Sequence, residues 1–169
     1  MNLVIRIVTI FIFLMITHVV RGQEFEVPQN YILEENIVKY EKDIIRCVNW
    51  LEETPINQQI EKRGDANIFL LFWFTKSQNM MRLPICETIK FNENNPDLLF
   101  SFMGGMSIFV LENRDEPIDI IKANLSGLKS VIKVYKMGNG IMEDENIEKL
   151  IELDDRNELE NWVREQIKK

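Results

Sequence analysis

Histidine is almost missing from this chain: its 169 residues contain one, His18. That residue falls in an N-terminal apolar segment that reads as a removable export signal, which leaves residues 23–169 without an imidazole. Ser-His-Asp and Cys-His catalysis, histidine metal ligation and an imidazole pH switch are thereby excluded from that part. Cysteine is nearly as scarce, with two residues and no CxxC pair, so thiol-exchange chemistry has no motif and a zinc site would need both thiolates plus carboxylates. Seven Gly and five Pro are too few for a fibrous or low-complexity chain, and 46% apolar content is too high for disorder. Basic residues number 20 against 27 acidic ones, for a formal charge of −7, and no Lys/Arg cluster offsets this locally. Such a balance repels phosphate backbones, so no nucleic-acid partner is expected. No stretch alternates with period two for long enough to make a strand, and no repeat of fixed period points to a solenoid.

What is present begins with the export signal. A short basic start ends at Arg6, residues 7–20 are apolar, and Val20-Arg21-Gly22 places compact residues where a signal peptidase reads them. Fourteen residues make roughly 21 Å of helix against a hydrocarbon core of roughly 30 Å, which favours cleavage over a membrane span. Residues 1–22 are therefore expected to leave, taking Arg6 and Arg21 with them. The 147 remaining residues carry 18 basic and 27 acidic side chains, a charge of −9. A domain of that size buries about 70% of its unfolded surface and is stable without staples. Its expected location is periplasmic or extracellular.

Past the signal the pattern is helical. Residues 23–36 read as a loose leader, and residues 37–169 as a single helical domain. Ile37, Tyr40, Ile44, Val48 and Leu51 recur at three- and four-residue steps, with charged residues on the other face, and Thr54-Pro55 stops this helix. A second helix is predicted over residues 56–76, polar first and then apolar on every side through residues 68–74. Ser77 to Leu83 reads as a connection, and Pro84 opens a short helical segment through Ile89. Asn95-Pro96-Asp97 carries the start signal of a third helix, which runs to about Asn113 and holds no charge between Leu98 and Leu111. Asp115-Glu116-Pro117 repeats that signal before the stripe Ile118, Ile121, Leu125, Leu128, Ile132, Tyr135, which Gly138-Asn139-Gly140 ends. Residues 143–153 form another helix, and Asp155-Arg156-Asn157-Glu158 reads as a capping box opening the last. The fold class is all-α: a compact bundle of about six helices, two apolar ones in the middle covered by amphipathic ones.

Several constellations invite chemistry. Cys47 and Cys86 would close a loop of about 40 residues, worth on the order of 4 kcal/mol as a disulfide; the alternative is two separate buried thiols. Ser126-Gly127-Leu128-Lys129 and Ser130-Val131-Ile132-Lys133 match the S-x-x-K spacing of serine acylases, without the companion S-D-N and K-T-G motifs. Solvated lysines beside small packing residues are the simpler reading. Gly104-Gly105 inside a helix costs roughly 0.8–1 kcal/mol per glycine, which close approach to the helix carrying Ser126 and Gly127 would offset. A ligand against bare backbone is the sharper alternative, and its candidate lining is Phe72, Trp73, Phe102, Met103, Gly104, Gly105 and Met106. Asp and Glu pairs such as Glu52/Glu53 read as solvated face, Asp155 as a cap, and Glu145 with Lys149 as a surface pair. Asn124-Leu125-Ser126 is a glycosylation sequon that its mid-helix placement disfavours. No catalytic set, metal site or cofactor is expected.

Val48-Asn49-Trp50-Leu51-Glu52 with Thr54-Pro55-Ile56-Asn57, Lys62-Arg63, Ala66-Asn67, Phe69-Leu70 and Trp73 resembles the opening motif of a family of small exported bacterial proteins with no assigned function. Asn95-Pro96-Asp97-Leu98-Leu99, Phe102-Met103-Gly104-Gly105 and Leu111-Glu112-Asn113 are similar to its middle, and Gly127-Leu128-Lys129-Ser130-Val131 with Tyr135-Lys136 to its next block. The resemblance spans roughly residues 42–162. It implies a compact helical domain outside the cytoplasm and carries over no catalytic residue. Two functions follow as expectations: a non-catalytic domain that binds protein or an envelope component, or a binding protein for a small apolar ligand held between the central helices. A filled core with an exposed apolar patch would favour the first, and an enclosed cavity the second.

Overall fold

The computed structural model describes residues 25–33, 35–84, 94–114 and 117–167. Residues 1–22, read from sequence as an export signal, Cys86 and the helix expected after Pro84 lie outside them. Among the described residues there are seven α-helices and no strand.

The first amphipathic stripe forms as its spacing dictates. A 3-10 turn, Ile37–Tyr40, leads into α1, Glu41–Glu53, whose Ile44, Cys47, Val48 and Leu51 are buried. The chain then turns through Pro55, whose carbonyl accepts from the Gln58 N–H at 2.9 Å, and Gln59 takes a left-handed conformation with φ of 48°. This turn delays α2, Ile60–Lys76, by four residues relative to the sequence expectation. The stretch expected to be a plain connection contains one helical turn, α3, Gln78–Met81.

The helix holding the uncharged stretch is α4, Leu98–Glu112, and ten of its residues are buried. It packs most extensively on α5, Ile120–Tyr135, and also touches α1, α2 and α3. The start of α5 differs from expectation. Its cap is Asp119, which accepts from the N–H groups of Ile121 and Lys122 at 3.1 and 3.0 Å, so the chain enters the helix four residues after Asp115. Gly138 and Gly140, with φ of 72° and 81°, turn the chain away from α5 as predicted.

The helix α6, Glu145–Asp155, starts on Asp144, and α7 spans Leu159–Ile167. The expected capping box between them is not formed. Asp155 is the last residue of α6 and pairs with Lys136 at 3.6 Å. Asn157 adopts φ of 57°, while the Glu158 N–H reaches the Leu153 carbonyl at 2.8 Å and the Asn157 N–H reaches Asp154 at 2.9 Å. That pair of bonds is a Schellman stop, in which asparagine replaces the usual glycine.

Two sequence expectations change in the packed molecule. The leader is anchored where it was expected to be loose: Phe25 is 1% exposed and Tyr31 9%. Their rings pack against Phe69, at centroid distances of 6.4 and 4.9 Å, because two large aromatic surfaces hold an otherwise unpatterned segment in place. The second correction concerns α2. Phe69, Leu70, Trp73 and Phe74 are buried, but Ile68 is 54% and Leu71 43% exposed, so only α4 is covered on all sides.

Candidate functional site

The glycines at the centre are filled by neighbouring helices. A Cβ on Gly105 would stand 2.5 Å from the Ser126 carbonyl oxygen and 2.8 Å from the Ser130 Cβ, and one on Gly127 would meet the Phe102 ring at 2.7 Å. A Cβ on Gly104 would meet a Val48 methyl at 2.8 Å. The glycines therefore let α4 approach α1 and α5 closely, and the Ser126 hydroxyl seals one contact by donating to the Gly105 carbonyl at 2.8 Å. Phe102, Met103 and Met106 are buried in the same core. Phe72, half-buried, lies against Tyr31 at 5.2 Å and under the Lys76 ammonium at 5.9 Å.

Trp73 has a different environment. It lines a cleft of about 160 Å³ with Glu41, Ser77, Asn79, Asn113 and Arg114, over an apolar wall that includes Val110 and Leu111. Arg114 forms an ion pair with Glu41 and donates from Nε to the Leu111 carbonyl at 3.3 Å. Trp73 itself is 2% exposed, and its indole N–H has no acceptor. A buried donor without a partner costs about 1–3 kcal/mol, a penalty the sequence pattern gave no reason to expect in an apolar run.

The S-x-x-K pairs are bound up structurally. Ser130 donates to Glu52 Oε1 at 2.5 Å and Lys133 to Glu52 Oε2 at 2.6 Å, so both groups of the second match end on one carboxylate. Lys133 in this arrangement is a cation paired with an anion and has no lone pair to take the serine proton. In the first match Ser126 is engaged with Gly105, and Lys129 pairs with Asp154 at 3.7 Å. Glu52, read from sequence as solvated, is 8% exposed and ties α1 to α5. Its spacing from Ile44 and Val48, at steps of four on the buried face, was the available signal.

Arg63 was also hidden. It is 6% exposed, and its guanidinium donates to the carbonyls of Leu51, at 3.2 Å, and Thr54, closing the C-terminal end of α1. Desolvation lowers its pKa from the ordinary arginine value. Cys47 is a free, fully buried thiol whose Sγ donates to the Ala66 carbonyl at 3.5 Å, and burial pushes its pKa upward. Cys86, its candidate disulfide partner, lies outside the described residues. Asn124 of the sequon is fully buried and donates to the carbonyls of Pro84 and Ile120 at 3.0 and 2.9 Å, which leaves its amide inaccessible to glycosylation in the fold.

Among the described residues, no group of three or more His, Cys, Asp and Glu side chains is placed to hold a metal ion. None of the described helices is long and apolar enough to cross a membrane. No family model matches this chain, and neither a curated protein nor a solved structure matches it.

Proposed function

We propose that the chain is an exported, non-catalytic helical domain that docks a partner protein on the solvent face of α2. The observation that carries this reading is an uncharged stripe at the surface. Ile60, Gly64, Ile68, Leu71 and Thr75 fall within roughly 80° of helical arc, a single face of the helix. Ile60 is 71%, Ile68 54% and Leu71 43% exposed, and a Cβ on Gly64 would meet nothing. Ile32 and Leu33, which follow Tyr31 in the leader, are 65% and 84% exposed. Exposed apolar side chains gathered on one face are the mark of an interaction surface, whereas scattered single ones are ordinary. The partner suited to it presents an apolar helix face, with the bare backbone at Gly64 admitting a side chain between Ile60 and Ile68.

Export is supported by the pattern of residues 1–22, and the absence of catalysis by the missing imidazole in residues 23–169 together with the hydrogen-bonded serines and ion-paired lysines of the two S-x-x-K matches. A protein partner is preferred over an apolar ligand between the central helices, because Val48, Phe102 and α5 occupy the space beside the three packed glycines. The test is photo-crosslinking in the native cell from position 68, with position 149 on the polar face of α6 as control. A discrete protein adduct from 68 alone is expected. No adduct, lipid adducts, or the same adducts from both positions would overturn the proposal.

A further inference from the structure

The exposed face of α2 carries a pattern that specifies its partner. At about 100° per residue, Glu61 and Lys76 lie about 20° and 80° to one side of Ile68, and Gly64 and Leu71 about 40° and 60° to the other. Along the axis Glu61 stands about 10 Å before Ile68 and Lys76 about 12 Å after it, while Gly64 stands about 6 Å before and Leu71 about 4.5 Å after. Reversed about Ile68, the face nearly complements itself: an anion answers a cation, and a hole answers an apolar side chain. Glu61 and Lys76 are both exposed, Leu71 is 43% exposed, and a Cβ on Gly64 would meet nothing. We infer that the partner is a second copy of this chain, with the two α2 helices antiparallel about a two-fold axis at Ile68; the inference rests on the reading of α2 as a docking face.

A two-fold axis between antiparallel helices sets each flank of the face against the same flank of its mate, so every contact occurs twice. Glu61 then meets Lys76 of the second copy, and Leu71 of the second copy fills the bare backbone at Gly64, each match holding within about 1.5 Å along the axis. The two Ile68 side chains meet on the dyad. Parallel pairing would instead set Glu61 against Glu61 and Lys76 against Lys76 and leave Gly64 facing Gly64, so like-charge repulsion and an unfilled hole select against it. An unrelated helix would have to supply a cation and an apolar side chain at those same spacings, and α2 already carries both. The size of the face sets the strength of the pair. The 17 residues of α2 make roughly 25 Å of helix, which at a width of roughly 10 Å offers roughly 250 Å² from each copy. That is well under the roughly 800 Å² per partner of a standard interface, so the pair is a reversible, concentration-dependent dimer.

Sedimentation of the purified protein should show a monomer–dimer equilibrium in the sub-millimolar range. Ile68→Lys, at an exposed position, sets two ammonium groups on the dyad and should weaken the dimer by about tenfold or more. Glu61→Lys and Lys76→Glu, also exposed, should each weaken it by about fivefold, because both ion pairs become like-charge contacts. The double variant should recover the parent affinity. An equimolar mixture of the two single variants should form a dimer more readily than either alone, since each then offers the charge that the other lacks. Helical circular dichroism confirms that each variant is folded. A chain that stays monomeric, a dimer indifferent to Ile68→Lys, or charge variants that do not rescue one another would overturn the inference. Photo-crosslinking from position 68 separates it from the docking reading. An adduct of twice the chain's mass supports self-pairing; an adduct with a different protein, from a chain that sediments as a monomer, overturns self-pairing while docking stands; and a monomeric chain with no protein adduct overturns both.

Discussion

Replacing glycine by alanine at two positions should move stability in opposite directions. At Gly64, in the exposed face of α2, an added Cβ meets nothing within 4 Å, so only the backbone preference changes. Alanine is favoured over glycine in a helix interior by about 0.8–1 kcal/mol, and Gly64→Ala should stabilise by that amount. At Gly105 the same preference is opposed by a Cβ placed 2.5 Å from the Ser126 carbonyl oxygen, 2.8 Å from the Ser130 Cβ and 2.9 Å from the Gly127 Cα. Two of those are backbone atoms, so α4 and α5 must separate, which costs about 1–3 kcal/mol as overpacking. Separation also strains the Ser126 bond to the Gly105 carbonyl, at about 1 kcal/mol, giving a net loss of about 1–3 kcal/mol after the propensity gain. Urea unfolding followed by helical circular dichroism measures both variants against the parent, and thermal midpoints should rise by about 2–4 °C for Gly64→Ala and fall by at least about 2 °C for Gly105→Ala. Gly104→Ala, whose nearest neighbours are atoms of the Val48 side chain and not backbone, should lie between them. If Gly105→Ala stabilises as Gly64→Ala does, the close approach of α4 and α5 is wrong.

Glu52→Ala strips the acceptor from Ser130 and Lys133, and because Lys133 is half exposed and rehydrates, the loss should be about 1–3 kcal/mol in urea unfolding. Asp144→Ala and Asp119→Ala both remove helix caps, but Asp144 is 2% exposed and also accepts from Asn94 at 3.3 Å; about 2 kcal/mol is expected for Asp144 and about 1 for Asp119. Cys47 should resist thiol reagents in the native protein and react on denaturation, read by mass spectrometry. Its raised pKa also has a stability consequence: the folded thiol stays protonated while the unfolded one ionises, so this contribution is complete below the unfolded pKa of about 8.5 and declines above it. Cys47→Ala should accordingly flatten the fall in stability between about pH 9 and 11, and an unchanged slope would show that Cys47 is accessible when folded.

The long helices were legible because each depends on neighbours three and four residues away. The stripe from Ile118 to Tyr135 specifies α5, and the uncharged stretch from Leu98 to Leu111 specifies a helix buried on all sides. Element ends were less legible, since Asp115 and Asp119 are equally good caps in isolation and only the path of the chain selects Asp119. The surroundings of the candidate residues were open for the same reason. Phe102, Met103, Met106 and the paired glycines were recognised as special, but whether bare backbone faces a ligand or another helix depends on what α5 places there. Glu52, Arg63 and Arg114 gave no local sign of their partners, which lie 78, 12 and 73 residues away in the chain.

Composition and periodicity, then, settled an all-α fold without strands in the described residues and removed imidazole chemistry from residues 23–169. Those are properties of local backbone preference and of the reagents available, and no packing can change them. Tertiary structure decided which apolar residues remain in water, which acid becomes a buried strut, and which of the aromatic residues lines a polar cleft. Burial and pairing are relations between distant segments, and a hydrophobic run such as residues 68–74 carries no mark of which face its neighbours will leave uncovered.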